Sequence, residues 1–138
     1  MKQIVVLGGG ISGYGSAILA KKKGFGVFLS DAGRIADRYK AKLDEWEVPY
    51  EEGGHTEERI LAATEVVKSP GIPDTAPMVR KIREAGIPVI SEMEFAGRYM
   101  GKAKCICITG SNGKTTTTSL IYKIMRDAGM NAVSYTHL

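Results

Sequence analysis

The chain has 138 residues, 43% of them hydrophobic and 25% charged, a balance that excludes a disordered or fibrous protein. No apolar run approaches the ~18 residues that cross a bilayer, so no membrane partner is expected. The net charge of +4 falls on residues 94–138. With no Lys/Arg cluster interleaved with aromatics, it suits a polyanionic nucleotide and argues against nucleic acid.

The apolar part of the opening Met1–Gly8 stretch is too short for a signal peptide and runs straight into glycine, so a cytoplasmic protein is expected. Ile4–Leu7 reads as a strand and Ile11–Lys23 as a helix. Between them Gly8-Gly9-Gly10-Ile11-Ser12-Gly13 matches G-x-G-x-x-G. Glycines there permit a tight turn and close approach of a diphosphate, while the free N–H groups and dipole of the helix favour its charge. Val27–Ser30 is a second strand ending at Asp31, whose carboxylate can accept hydrogen bonds from a ribose or a base. A charged helix follows over about Ile35–Trp46. His55 reads as a loop residue before a helix capped by Thr56, with no cluster around it that would bind a metal.

Val66–Lys68 is a strand, Ser69-Pro70-Gly71-Ile72-Pro73 a Pro-Gly turn, and Ala76–Ala85 a helix. Val89-Ile90 and Glu92–Tyr99 add a strand and a short helix. Trp46 and the six methionines read as packing residues. The β-α alternation predicts an α/β fold: a Rossmann-like parallel-sheet domain over residues 1–93, with a seam near Glu94–Lys104.

Cys105–Thr109 then reads as a strand. Its two cysteines fall on one face and are expected to be reduced core residues. Gly110-Ser111-Asn112-Gly113-Lys114-Thr115-Thr116 leads into a helix over Lys114–Ala128 with Leu120, Ile121, Ile124, Met125 and Ala128 on one face. This is the strand–loop–helix context of a P-loop. Backbone N–H groups would surround phosphates, Lys114 would neutralise their charge, and the Thr115 hydroxyl would complete a Mg²⁺ shell. Ile108 stands where G-x-x-x-x-G-K-[ST] has its first glycine. Residues 94–132 are expected to be the truncated start of a P-loop ATPase-type α/β domain, loosely held with one strand and one helix. Residues 133–138 are expected to be a non-native tail.

These residues alone leave several readings open. An NAD(P)-dependent oxidoreductase would use Gly8–Gly13 and Asp31, leaving the second loop unexplained; a non-catalytic nucleotide-binding module is another possibility. Thr109–Thr116, however, resembles the P-loop of the Mur ligases and their folylpolyglutamate synthetase relatives, whose pattern also lacks the early glycine. Ser69–Pro73, Ser91-Glu92-Met93-Glu94-Phe95 and Gly8–Gly13 extend the resemblance over residues 1 to about 132.

The resemblance implies an ATP-dependent amide ligase of peptidoglycan precursor synthesis. Gly8, Gly10, Ile11, Ser12 and Gly13 would hold the diphosphate of UDP-N-acetylmuramoyl-L-alanine. Asp31 and Arg34 would face its uracil and ribose, although Asp31-Ala32-Gly33-Arg34 departs from the tighter acid-Thr-Arg form. Ser69, Pro70 and Gly71 would line the same cleft. Gly110, Ser111, Asn112, Gly113, Lys114, Thr115 and Thr116 would take the ATP phosphates, with Lys114 catalytic and Thr115 on Mg²⁺. The D-glutamate site, the adenine contacts and the second metal's ligands would lie beyond residue 132, so this fragment is expected to be inactive by itself.

Overall fold

Ile4, Val5, Val6 and Leu7 form an unbroken apolar run because β1 (Gln3–Leu7) is covered on both faces, as the centre of a parallel sheet must be. β1 pairs in parallel with β2 (Gly26–Asp31) on one side and β4 (Glu65–Lys68) on the other. β2 pairs with β3 (Tyr50–Glu52) and β4 with β5 (Val89–Ser91), again in parallel. The resulting five-stranded order is β3-β2-β1-β4-β5. The computed structural model describes residues 1–134 and divides into two compact units, Met1–Gly101 and a second that starts at Lys102.

Alternate residues of each strand feed two cores. Ile4, Val6, Val27, Leu29 and Val67 pack with Ala17 and Ala20 of α1 (Ile11–Lys22), Leu43 of α2 (Asp37–Glu45) and Phe95 of α5 (Glu92–Gly97). Val5, Leu7, Phe28 and Val66 face the other way. They pack with Ile60 of α3 (Glu57–Leu61) and Met78, Val79 and Ile82 of α4 (Pro77–Glu84). Each fully buried aliphatic side chain contributes about 1.5–3 kcal/mol by leaving water. Helices on both faces of a parallel sheet make the first unit α/β and Rossmann-like.

Phe95 is completely buried in the first of these cores, and Arg98 donates to Glu65 at 2.7 Å. Both tie α5 and the residues after it to the sheet, so this unit runs on to Gly101. Glu65 also accepts from Lys2 Nζ at 2.9 Å. Burial pushes its carboxyl up, but hydrogen bonds from Lys2 and Arg98 outweigh that and hold it below the usual range.

The second unit departs from expectation. Residues 103–110 form no strand, because a strand exists only through ladder bonds to a neighbour and none lies beside them among the described residues. Cys105 and Cys107 are reduced but exposed, not core residues, with sulfurs 3.7 Å apart. The hydrogen bond between them and the charge at Cys107 push the Cys105 thiol up. α6 (Lys114–Asp127) forms as expected but has no buried residue. Of the expected non-native tail, residues 135–138 lie outside the described residues.

Candidate nucleotide-binding cleft

The order β3-β2-β1-β4-β5 reverses direction between β1 and β4, leaving a crevice beyond their carboxyl ends. Two chain segments wall it. After β1, the Gly8 N–H continues the ladder to the Ser30 carbonyl (2.9 Å), and after β4 the Ser69 N–H reaches the Leu7 carbonyl (3.0 Å). These bonds press Gly8 against Ser69: a Cβ on Gly8 would fall 2.8 Å from that of Ser69, and its φ of +101° disfavours any side chain. Gly13 is tighter still, since a Cβ there would sit 1.9 Å from the Gly8 carbonyl oxygen. The loop thus closes onto α1 with Gly10 as the N-cap, so that the helix's N-terminus faces the crevice.

The Asp31 carboxylate fixes this loop. Oδ2 accepts from the Gly9 N–H at 2.5 Å, and Oδ1 from the Gly33 N–H at 2.7 Å. Charge-assisted bonds of this kind are about twice as strong as neutral ones. On the opposite wall Lys68 reaches past the strand end to the Ile72 carbonyl at 2.6 Å, pinning the turn that carries Ser69 and Gly71. The space enclosed is about 520 Å³, bounded by Gly8, Gly10, Asp31, Ala32, His55 and Ser69 on its polar side. Ile72, Ala76, Pro77 and Met78 supply an apolar wall, the ordinary make-up of a site for a small organic ligand.

A part-buried polar chain supports the rim. The Ser30 hydroxyl, wholly buried, donates to Glu51 Oε1 at 2.7 Å and lies 2.6 Å from His55 Nδ1. Thr56 does not cap α3 with its side chain. Instead its hydroxyl and N–H both donate to Glu51, at 2.5 and 2.8 Å. Burial pushes the Glu51 carboxyl up, yet the hydroxyls of Thr56 and Ser30 outweigh it, and the group lies below its ordinary range.

In the second unit Gly110 (φ +152°) and Gly113 (φ +76°) shape a loop that ends at the N-terminus of α6. Gly113 is the N-cap and no side chain satisfies the first N–H groups. Lys114 Nζ folds back to donate to the Gly110 carbonyl at 2.7 Å, so its ammonium lies across the loop. Thr115 and Thr116 are exposed in the first turn. Among the described residues no cluster of three His, Cys, Asp or Glu can hold a metal.

The model of the Mur ligase MurD-like N-terminal domain matches residues 2–91, and that of the Mur ligase middle domain matches residues 108–137. The chain belongs to the Mur ligase family. Among curated relatives, UDP-N-acetylmuramoylalanine–D-glutamate ligase of Bacteroides fragilis is 64% identical over 131 residues. The match covers 95% of this chain and 29% of that protein. The enzyme of the same name from Bacteroides thetaiotaomicron is 62% identical over the same span. The chain therefore spans about 29% of the length of these relatives. A solved murein peptide ligase from Psychrobacter arcticus superposes with a TM-score of 0.71 at 26% identity, over 94% of this chain and 27% of its own.

Within this Mur ligase chain the sequence-expected residues are distributed unevenly. Gly8, Gly10, Asp31, Ser69 and Gly71 line the crevice. Gly13 acts through packing, and Ser12 sits half-buried in the first turn of α1. Ile11 and Pro70 are exposed and are not among the lining residues. The Arg34 side chain is 78% exposed and pairs with Asp37 at 3.5 Å, away from the lining. His55, Met78 and Lys81 line the crevice although sequence reasoning assigned them no binding role. Only His55 carried a local signal, as a histidine in a Gly-Gly-His-Thr loop just beyond a strand end.

Proposed function

We propose that this chain carries the UDP-sugar-binding domain and the start of the ATP-binding domain of a ligase joining D-glutamate to UDP-N-acetylmuramoyl-L-alanine. The observation that carries the reading is the crevice at the β1/β4 switch point, walled by Gly8–Gly13 and Ser69–Ile72, in a chain 64% identical to ligases of that name. Gly8, Gly10 and the first turn of α1 take the diphosphate, the neighbouring crevice takes the nucleoside, and Asp31 holds the loop in shape. Each Asp31 oxygen accepts one backbone N–H, so the carboxylate braces the loop and keeps acceptor capacity for a ribose hydroxyl at the crevice.

The uncapped N-terminus of α6, with Gly113 in the left-handed region and the Lys114 ammonium over the loop, fits a nucleotide's phosphates. Gly110–Thr116 would hold them, and the Thr115 hydroxyl would face Mg²⁺. When bound, ATP and Mg²⁺ supply the phosphoryl group that converts the alanyl carboxylate into an acyl phosphate, which the D-glutamate amine attacks. The chain's own part is to orient those phosphates and offset their charge through Lys114. Both nucleotides are cytoplasmic metabolites, so the activity belongs in the cytoplasm. Among the described residues no helix is long and apolar enough to cross a membrane.

Titration of the ¹⁵N-labelled 138-residue chain tests the reading. UDP-N-acetylmuramoyl-L-alanine should shift the amides of Gly8–Gly13, Ser69 and Gly71, and NADH should not. Saturable NADH binding with no response to the UDP-sugar would sink it.

A further inference from the structure

Ser30, Glu51 and His55 form a connected chain that the reading above leaves without a task. Glu51 is ionised over the physiological range, and a carboxylate only accepts hydrogen bonds. The single Ser30 proton therefore goes to Glu51 at 2.7 Å, and Ser30 Oγ becomes the acceptor for His55 Nδ1–H at 2.6 Å. That order fixes the tautomer of the neutral ring and leaves Nε2, on the far edge of the imidazole, as an acceptor. No protein group is paired with Nε2 among the described residues. His55 lines the crevice together with Asp31 and Ala32 and with the apolar Ile72, Ala76, Pro77 and Met78. Such a slot, with one apolar face and one polar edge, suits a planar base and its sugar.

An acceptor nitrogen needs a donor on the ligand. At neutral pH a UDP group offers only the uracil N3–H and the ribose hydroxyls, since its phosphate oxygens are themselves acceptors. We propose that His55 reads the nucleoside of the bound nucleotide, its Nε2 accepting a hydrogen bond from the uracil N3–H or a ribose hydroxyl. Ser30 and Glu51 are positioning residues that hold the imidazole in the required tautomer. This inference rests on the UDP-sugar reading of the crevice.

The test measures UDP binding to the 138-residue chain by calorimetry, with two variants and two altered ligands. His55→Asn keeps an amide N–H near the Nδ1 position but has nothing at Nε2. His55→Gln places an amide at the Nε2 position. His55→Asn should melt like the native chain yet bind UDP about tenfold more weakly, and His55→Gln should recover most of that loss. On the native chain, either N3-methyl-UDP or 2′,3′-dideoxy-UDP should show a similar loss, naming the donor. That same ligand should bind His55→Asn no more weakly than it binds the native chain.

Native-like UDP affinity in His55→Asn overturns the proposal, as does an equal loss for all three ligands, which would place His55 on the diphosphate. If His55→Asn does not fold, a native chain that binds the three ligands equally well overturns it instead. A native chain that binds NADH and not UDP removes the underlying reading as well, whereas the other failures remove His55 alone.

Discussion

The two glycine loops of this chain share one plan in sequence, a phosphate-sized turn opening a helix, but differ in what holds them. Gly8–Gly13 is held by its surroundings: the Ser30 carbonyl, the Asp31 carboxylate, Ser69 and its own helix all press on it. Gly110–Thr116 is shaped by its own backbone, with Lys114 returning to the Gly110 carbonyl and no side chain within contact of a Cβ placed on Gly113. Positive-φ glycines and an open helix N-terminus are thus locally encoded, whereas a packed wall of a crevice requires the rest of a sheet. In the first loop the residues bear structural load. In the second they are available for chemistry.

The largest expected effect sharpens that contrast through Lys114. In the intact ligase, Lys114→Ala should lower turnover by about 10²–10³-fold while leaving the melting temperature unchanged, because an exposed ammonium aimed at phosphate contributes to the transition state and not to folding. Near-normal turnover would remove the loop from the chemistry. Gly13→Ala should do the reverse. Its Cβ would meet backbone oxygen at 1.9 Å, a clash no rotamer relieves, so urea unfolding of the 138-residue chain should show a loss of about 3 kcal/mol or more.

Glu65 gives an intermediate effect. Its carboxyl is depressed below the ordinary 4.5 by Lys2 and Arg98, despite burial. The stability it confers is fully present above that value and is lost as pH falls through the lower folded-state value. Glu65→Gln should therefore cost about 1–2 kcal/mol at pH 7, discounted for the partial exposure of both cations, and its difference from the native chain should shrink in acid below about pH 4. A difference independent of pH would show that the charge is not the cause. Gly113→Ala should be mildest, about 1 kcal/mol of left-handed backbone strain, read as slightly faster amide exchange in the first turn of α6. A loss as large as that of Gly13→Ala would erase the contrast between the loops.

The buried strands were legible because parallel central strands must be apolar on both faces, which makes Ile4–Leu7 and Val66–Val67 unmistakable. β3 was not, since Tyr50-Glu51-Glu52 is a three-residue edge strand with two acids, formed through its register with Leu29–Asp31. Cys105–Thr109 shows the converse error: its apolar pattern suits a strand, but a pattern cannot supply the neighbour. In the crevice the glycines of the first loop were readable from turn chemistry, and Ser69 through the resemblance. His55 was not, because its partners Ser30 and Glu51 come from two other strands and meet it only in the folded sheet. Arg34 entered through the resemblance, and its exposed side chain pairs with Asp37 at the start of α2.

The contact between Gly8 and Ser69 also bears on when the site comes into being. The two residues stand on strands joined by a crossover through α1, β2, α2, β3 and α3, so their meeting is among the most non-local events in the first unit and carries a high loop-closure cost. A nascent chain emerging amino end first would display the complete glycine motif early, yet have no crevice until β4 had docked beside β1. Nucleotide would then find no partially built site to favour, and its binding would act only on the finished sheet, by mass action. In that sense the ligand serves as a quality check on folding: affinity appears together with the β1–β4 pairing that walls the crevice.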